Sequence, residues 1–357
     1  MRIICALLTA VVLWGCSIDP ENLPQASGLT GDMFLVMDSA QWKGPLGRTL
    51  DSIFSVDMPG LPRKESIFRM RWLNPRKLNY ILKQRRNLIF AMTLDKQAEG
   101  SRIVRSLFTK ASIEKIKTSP EEYITTTSNV FAKGQDVMYL YGTDEATLLK
   151  NVRHNASRLV DFFDQKERIR ITNSLFKAGQ VKSLSTVLTK DYQCDLKIPF
   201  GFKLADKQVD FVWLRQINPR VDKDLFIARK SYTSQDDFKK ENLIRFRDDV
   251  CQKYLFEDPD QPETYLKTET TVPFIPVTAD TVNFNGHFAI KLRGIWRSHT
   301  LGMGGPFEGF ALVDEGTQQF YYVEGFTFSP GKDQREIMRE LETILYTFRT
   351  SKDIQKN

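Results

Sequence analysis

One stretch of the 357-residue chain combines a titratable side chain with a run of small, flexible positions. His299 follows Arg293-Gly294-Ile295-Trp296-Arg297-Ser298 and precedes Thr300-Leu301-Gly302-Met303-Gly304-Gly305-Pro306-Phe307-Glu308-Gly309. Glycines permit tight turns and close approach of a backbone to a ligand. Arg297, His299, Gly302, Gly304, Gly305 and Glu308 therefore form a candidate pocket loop, and His299 with Glu308 and Asp314 would supply an acid/base group if the fold brought them together. The plainer reading is a strand connection or hairpin whose glycines answer dihedral needs. No lysine with serine or threonine turns Gly302-Met303-Gly304-Gly305 into a phosphate-binding loop. The other histidines, His154 and His287, form no sequence-local cluster, and three histidines with four cysteines leave little material for a zinc site. No nucleophile elbow, calcium loop or glycosidase carboxylate pattern occurs. No catalytic residue, metal or cofactor is assigned.

Charge is more informative than any motif. Lys and Arg number 51 against 44 Asp and Glu, a formal net charge of +7. From Arg63 through Lys117 there are 15 Lys and Arg against four Asp and Glu, a local excess of +11 that exceeds the whole-chain total. Within it Arg69 and Arg71 share one side of an alternating strand, Arg76 and Lys77 follow a turn, and Lys83, Arg85 and Arg86 form another group. These seven are the candidate interaction residues. Such a face suits acidic lipid headgroups or an acidic protein, and it also fits ordinary solvated cations. Nucleic acid, its usual partner in the cytoplasm, is set aside because the N-terminus reads as an export signal.

Met1-Arg2 is followed by an apolar run of 12 residues from Ile3 to Trp14, then by Gly15 and Cys16. The run is too short to cross a bilayer as a helix and has the length of a signal-peptide core. Leu13-Trp14-Gly15-Cys16 resembles the bacterial lipobox, in which small residues admit the peptidase and the cysteine thiol receives diacylglycerol; Trp14 departs from the small residue usual at its place. The resemblance implies a signal peptide over residues 1–15, lipidation at Cys16, a mature chain of 342 residues and a tether over residues 16–31. Ser17, where Asp would signal inner-membrane retention, implies the outer membrane, with its periplasmic and cell-surface faces both open. Cys5 leaves with the signal, so Cys194 and Cys251 remain as thiols, either paired or separately buried.

The elements that must carry these residues read as α+β. Strands are expected at 33–37, 66–72, 88–94 and 137–142, helices at 46–54 and 97–108, and one long helix from Asp144 to about Lys166. The second half repeats the order: a strand at 209–215, another at 225–228, a helix at 242–256, strands at 288–296 and 319–328, and an amphipathic helix from Asp333 to Phe348. Asn74-Pro75-Arg76 and Asn218-Pro219-Arg220 each follow a strand, 144 residues apart. The expectation is two duplicated α+β halves, 32–178 and 179–350, with mixed or antiparallel sheets covered by helices, and a tail at 351–357.

The lipobox, the two Asn-Pro-Arg strands and the Arg293-to-Glu308 segment together resemble a lipoprotein family of Bacteroidota over almost the whole mature chain. The resemblance implies the outer membrane as location and brings no activity or catalytic residue. The expected function is a membrane-anchored, non-enzymatic binding or assembly subunit of an outer-membrane or envelope protein complex. The alternative is a glycan- or small-molecule-binding protein, or a hydrolase, using the glycine-rich loop near His299.

Overall fold

The computed structural model describes residues 22–219, 221–256, 260–272, 275–300 and 302–355. Cys16 and the expected signal segment lie outside the described residues. The chain divides into two compact units: the residues up to Val56 with Ser66–Glu167, and Asp57–Glu65 with the residues from Arg168 onward.

Unit 1 is built on strands β1 (Asp32–Val36), β2 (Arg69–Leu73), β3 (Asn87–Thr93), β4 (Ile124–Ser128) and β5 (Asp136–Gly142). They form one mixed sheet in the order β2-β1-β3-β5-β4, with β4 alone antiparallel. Its helices are α1 (Ser39–Lys43), α2 (Pro45–Phe54), α3 (Tyr80–Lys83), α4 (Glu99–Arg105), α5 (Lys110–Thr118), α6 (Glu145–His154) and the first part of α7 (Ala156–Leu175). Helices α2, α6 and α7 bury Leu50, Leu148 and Phe163 against one face, and α4 and α5 bury Val104 and Ile116 against the other. With both faces covered, β3 and β5 are buried at every position, which is why Asn-Leu-Ile-Phe-Ala-Met-Thr and Asp-Val-Met-Tyr-Leu-Tyr-Gly are near-continuous apolar runs. Edge strand β2 still alternates: Met70 and Trp72 turn to the α2 face, while Arg69 and Arg71 turn to the other.

Unit 2 holds β6 (Cys194–Asp195), β7 (Lys203–Lys207), β8 (Phe211–Asn218), β9 (Val221–Ser231), β10 (Leu266–Glu269), β11 (Thr278–Phe284), β12 (His287–Ser298), β13 (Gly304–Asp314), β14 (Gln319–Phe328) and β15 (Arg349–Thr350). Eight of them form an antiparallel sheet in the order β10-β12-β13-β14-β9-β8-β7, with β11 also paired to β12. Helices α8 (Lys182–Tyr192) and α10 (Arg335–Leu345) cover one face, where Leu188 and Leu341 meet Leu214, Ile227, Tyr321 and Val323. Helix α9 (Lys240–Tyr254) covers the other, where Leu243 and Cys251 meet Phe211, Phe226, Phe320 and Tyr322. Consecutive residues of β14 thus belong to opposite cores, the period-two signature of a sheet covered on both sides. A short helix, α11 (Ser351–Gln355), follows β15 in the segment expected to be a tail.

The α+β class with mixed and antiparallel sheets is therefore what the chain adopts. The expected duplication is not. Unit 1 is a largely parallel sheet and unit 2 an antiparallel one, and the two Asn-Pro-Arg triplets occupy different places. Asn74 ends an edge strand and its Oδ1 accepts from the Arg76 amide at 3.0 Å; Asn218 closes the β8–β9 hairpin and its Oδ1 accepts from the Val221 amide at 2.9 Å. The shared triplet records a shared turn chemistry, an asparagine side chain folding back on the backbone, rather than a repeated unit. The single helix expected over 144–166 is two: Asp144 caps α6 by accepting from the Thr147 amide at 2.9 Å, as its sequence suggests, but Asn155 interrupts the helix before α7. The expected tether over 16–31 also ends earlier. Leu23 is only 8% exposed, Ala26 donates to the Lys133 carbonyl, and Ser27 donates to the Gln84 carbonyl, so residues 23–31 belong to unit 1.

Cys194 and Cys251 are free thiols in the two separate cores on opposite faces of the unit 2 sheet. Burial raises the pKa of both, Cys251 to about 12. A thiol reagent is expected to leave both unmodified in the native protein and to modify both after denaturation in urea; a disulfide between them, seen as labelling in urea only after reduction, or rapid native labelling, would contradict this placement.

Candidate functional site

The seven candidate cations of unit 1 lie on β2, in the turn after it and from the end of α3 to the start of β3. Between Ser66 and Leu94 the chain has these seven and no carboxylate at all. Arg69 pairs with Asp32 at 2.8 Å and donates to the Thr30 carbonyl; Arg76 pairs with Glu99 at 3.2 Å. Arg71 is exposed, 4.0 Å from Asp32. Its guanidinium lies 5.9 Å from the centre of the Phe34 ring, and that of Arg85 lies 5.4 Å from the same ring. Lys83 sits 5.4 Å from the Phe131 ring, and Lys77 is exposed. The Arg86 amide donates to the Ser27 carbonyl, fixing the edge to the incoming chain.

Helix α3 stands among these cations. Asn79 caps it by accepting from the Leu82 amide at 2.9 Å. Leu78 and Leu82 pack inward on the core beneath, which turns Tyr80 and Ile81 outward at 66% and 63% exposure. Sequence reading missed this pair. Its signal is present, however: four large apolar residues, Leu78, Tyr80, Ile81 and Leu82, stand between Lys77 and Lys83 in a stretch without acids, more than one inward face of a single turn can bury.

The glycine-rich segment of unit 2 is a hairpin, and its candidate residues lie along β12, the turn and β13. Ser298 donates to the Met303 carbonyl across the turn from β12 to β13. A Cβ on Gly305 would stand 2.1 Å from the Thr327 carbonyl oxygen and one on Gly304 would stand 2.8 Å from that of Trp296, so these glycines serve close strand packing. Gly302 lies in the turn. Arg297 pairs with Glu269 at 2.7 Å, and His299 stacks on Tyr265 with Nδ1 3.1 Å from Lys267 Nζ. Glu308 is buried farther along β13, and Asp314 lies at its far end, accepting from the Ser351 amide. The acid/base group considered from sequence is thus spread along a strand. His154 ends α6, and His287 Nε2 lies 2.9 Å from Asp353. Among the described residues no three His, Cys, Asp or Glu are placed to hold a metal ion.

Buried charges in unit 2 are the other titratable feature. On the α9 face, Arg247 and Glu324 are fully buried and joined by two bonds of 2.7 and 2.8 Å; Tyr322 donates to Glu324 and Arg247 donates to Thr268. On the α10 face, Lys291 lies 3.0 Å from Glu308 and 2.5 Å from Glu342, and Arg168 lies 3.7 Å from Glu342. Burial, reinforced by the neighbouring Glu342, pushes the Glu308 carboxyl up to about 7 even though Lys291 opposes the shift. Burial also works against an ionised Glu342, but Lys291 and Arg168 outweigh it and hold this carboxyl low. Two carboxyls with divergent proton affinities can divide acid and base roles. Here they are enclosed between sheet and helix, which makes the cluster a structural ion network.

Unit 1 also contains an apolar recess of about 80 Å³ lined by Leu107, Phe108, Ile116, Tyr139 and Tyr141, with the Lys115–Glu122 pair, 2.8 Å apart, beside it. A dry cavity that accepts benzene measures about 150 Å³, so this space is too small for a ring-sized ligand; Ser112, Thr125 and Thr127 complete its lining. No helix of the described residues is long and apolar enough to cross a membrane.

Residues 26–176 match a family model described as a domain of unknown function (DUF8532), and residues 181–347 match another so described (DUF4837). No curated protein matches the chain. Among solved structures, a mutant of protein Mog1 is similar at 8% identity, with a TM-score of 0.28, covering 44% of this chain and 91% of that one. The Saccharomyces cerevisiae Ran-binding protein Mog1p gives 8%, 0.29, 44% and 90% in the same order. Human StAR-related lipid transfer protein 5 gives 11%, 0.22, 54% and 98%.

The ion network on the α10 face predicts a pH signature. Glu308 holds its proton more tightly folded than at its ordinary value of 4.5, so its contribution to stability is fully present below pH 4.5 and is lost as pH rises through about 7. Glu308→Gln keeps the neutral form, and its stability relative to wild type should therefore improve between pH 5 and pH 8, by up to about 3 kcal/mol. Glu342 runs the opposite way: its contribution is present above 4.5 and lost as pH falls below it. Glu342→Gln deprives buried Lys291 of its nearest carboxylate and should cost about 3–5 kcal/mol at neutral pH. Urea unfolding at both pH values measures these differences, and an unchanged pH slope in the Glu308→Gln variant would refute the assignment.

Proposed function

We propose that the protein is a non-enzymatic binding or assembly subunit of the cell envelope, tethered to the outer membrane by lipid on Cys16 and engaging an acidic surface through the basic edge of unit 1. The observation that carries this reading is the grouping of seven cations on β2, in the turn after it and around α3, in a stretch from Ser66 to Leu94 that contains no carboxylate. The lipobox resemblance of Leu13-Trp14-Gly15-Cys16 supports the anchoring. Lipid attachment confines the folded units to the membrane plane and raises their local concentration there, so weak individual contacts become effective. The dispersal of Arg297, His299 and Glu308 weighs against the hydrolase alternative.

Two experiments test the proposal. Gentle extraction of the natively expressed protein should recover a reproducible set of envelope partners; recovery of none, together with turnover of an envelope substrate by the purified protein, would reverse the reading. Cys16→Ser should move the protein from the membrane to the soluble fraction on salt and carbonate washing, and retention there would show that lipid is not its principal attachment.

A further inference from the structure

We infer that α3 and the cations around it form a membrane-contact surface that seats unit 1 on an anionic phospholipid bilayer, with Tyr80 and Ile81 entering the boundary between headgroups and acyl chains. The inference deepens the proposed function and rests on its lipid anchor for geometry.

Three observations meet at this edge. The first is chemical: an exposed aromatic–aliphatic pair stands beside Lys77 and Lys83, with Arg71 and Arg85 nearby on Phe34. An apolar tip ringed by cations matches an interface that is apolar inside and negatively charged at its rim. An acidic protein would also satisfy the cations and bury an aromatic tip; the anchored N-terminus is what favours the bilayer. The second is mechanical. Asn79 caps α3, and Leu78 and Leu82 anchor it to the core, so Tyr80 and Ile81 are held outward by packing.

The third is the path of the chain. Pro24 and Ala26 pair with the backbone of Lys133, and Ser27 exchanges backbone hydrogen bonds with Gln84 and Arg86, so the N-terminal segment reaches unit 1 beside the C-cap of α3. Six residues separate Cys16 from Leu23, a reach of about 25 Å even when fully extended. A lipid on Cys16 therefore holds this edge, among the surfaces of unit 1, within reach of the bilayer. Contact becomes an intramolecular event for the anchored protein, and a surface too weak to bind vesicles alone becomes effective.

The test uses the processed, lipidated full chain with Ile81→Cys labelled by an environment-sensitive fluorophore. Lys150→Cys provides the control; it is exposed on α6, which packs on the opposite face of the sheet from Leu82. Buried Cys194 and Cys251 remain unlabelled. On vesicles containing phosphatidylglycerol, the label at Ile81 should shift to the blue and be quenched by bilayer-embedded quencher, while the label at Lys150 stays in water. Lys77→Glu and Lys83→Glu should each reduce the bilayer-inserted population about fivefold at low salt. If the protein floats with vesicles and the Ile81 label stays in water, the contact surface is wrong and the anchor stands. Failure to float removes both. Shielding of Ile81 only when envelope proteins are added, and never by lipid, assigns the edge to a protein partner and overturns the inference.

Discussion

The governing constraint in unit 1 is that the strands β3 and β5 of its sheet have no wet face. Strands β3 and β5 are buried along their whole length because helices cover both sides. A basic segment threaded through such a sheet has only the edge strand, the strand ends and the connecting turns in which to keep its charges hydrated. Arg69 and Arg71 accordingly lie on β2, Arg76 and Lys77 in the turn after it, and Lys83, Arg85 and Arg86 between α3 and β3. Covering the apolar core near this edge falls partly to the cations: Arg71 and Arg85 flank Phe34, whose ring is nearly buried. Their aliphatic stems and planar guanidinium groups supply cover while their charge remains near solvent.

Unit 2 solves the charge problem differently. Its sheet is also covered on both faces, yet ionised side chains enter both cores. The bidentate Arg247–Glu324 pair, supported by Tyr322 and Thr268, orients α9 on its face, since a guanidinium fork tolerates little rotation about its carboxylate. Lys291, Glu308, Glu342 and Arg168 join strands β12 and β13 to α10 and α7 on the other. Replacing such clusters by apolar side chains often leaves stability unchanged or higher. Their clearer contribution here is to specify how each helix sits.

Much of this architecture was legible because its signals are local. The apolar runs of β3 and β5, the alternation in β2, the Asp144 cap and the amphipathic α10 all follow from spacing within a few residues. What was not legible depends on partners distant in sequence. Whether a strand pairs parallel or antiparallel is set by its crossover connection, so two similar strand–Asn-Pro-Arg segments led to different sheets. The glycines at 304 and 305 answer to neighbouring strands, which a pocket-loop reading has no means of seeing. The seven cations were visible as a group, but Tyr80 and Ile81 looked like any helical apolar pair until Leu78 and Leu82 proved to be the inward residues. Glu324, the single charge inside the apolar strand β14, and Lys291, set between Ile290 and Leu292, were the available hint of the buried networks.

The separate burial of the two thiols carries a consequence for where this fold can live. Cys194 and Cys251 are insulated from one another by an entire sheet and are held protonated by their cores. Neither can serve as a structural cross-link, so the described fold asks nothing of thiol-oxidising catalysts during maturation. Its architecture is indifferent to the redox poise of its surroundings.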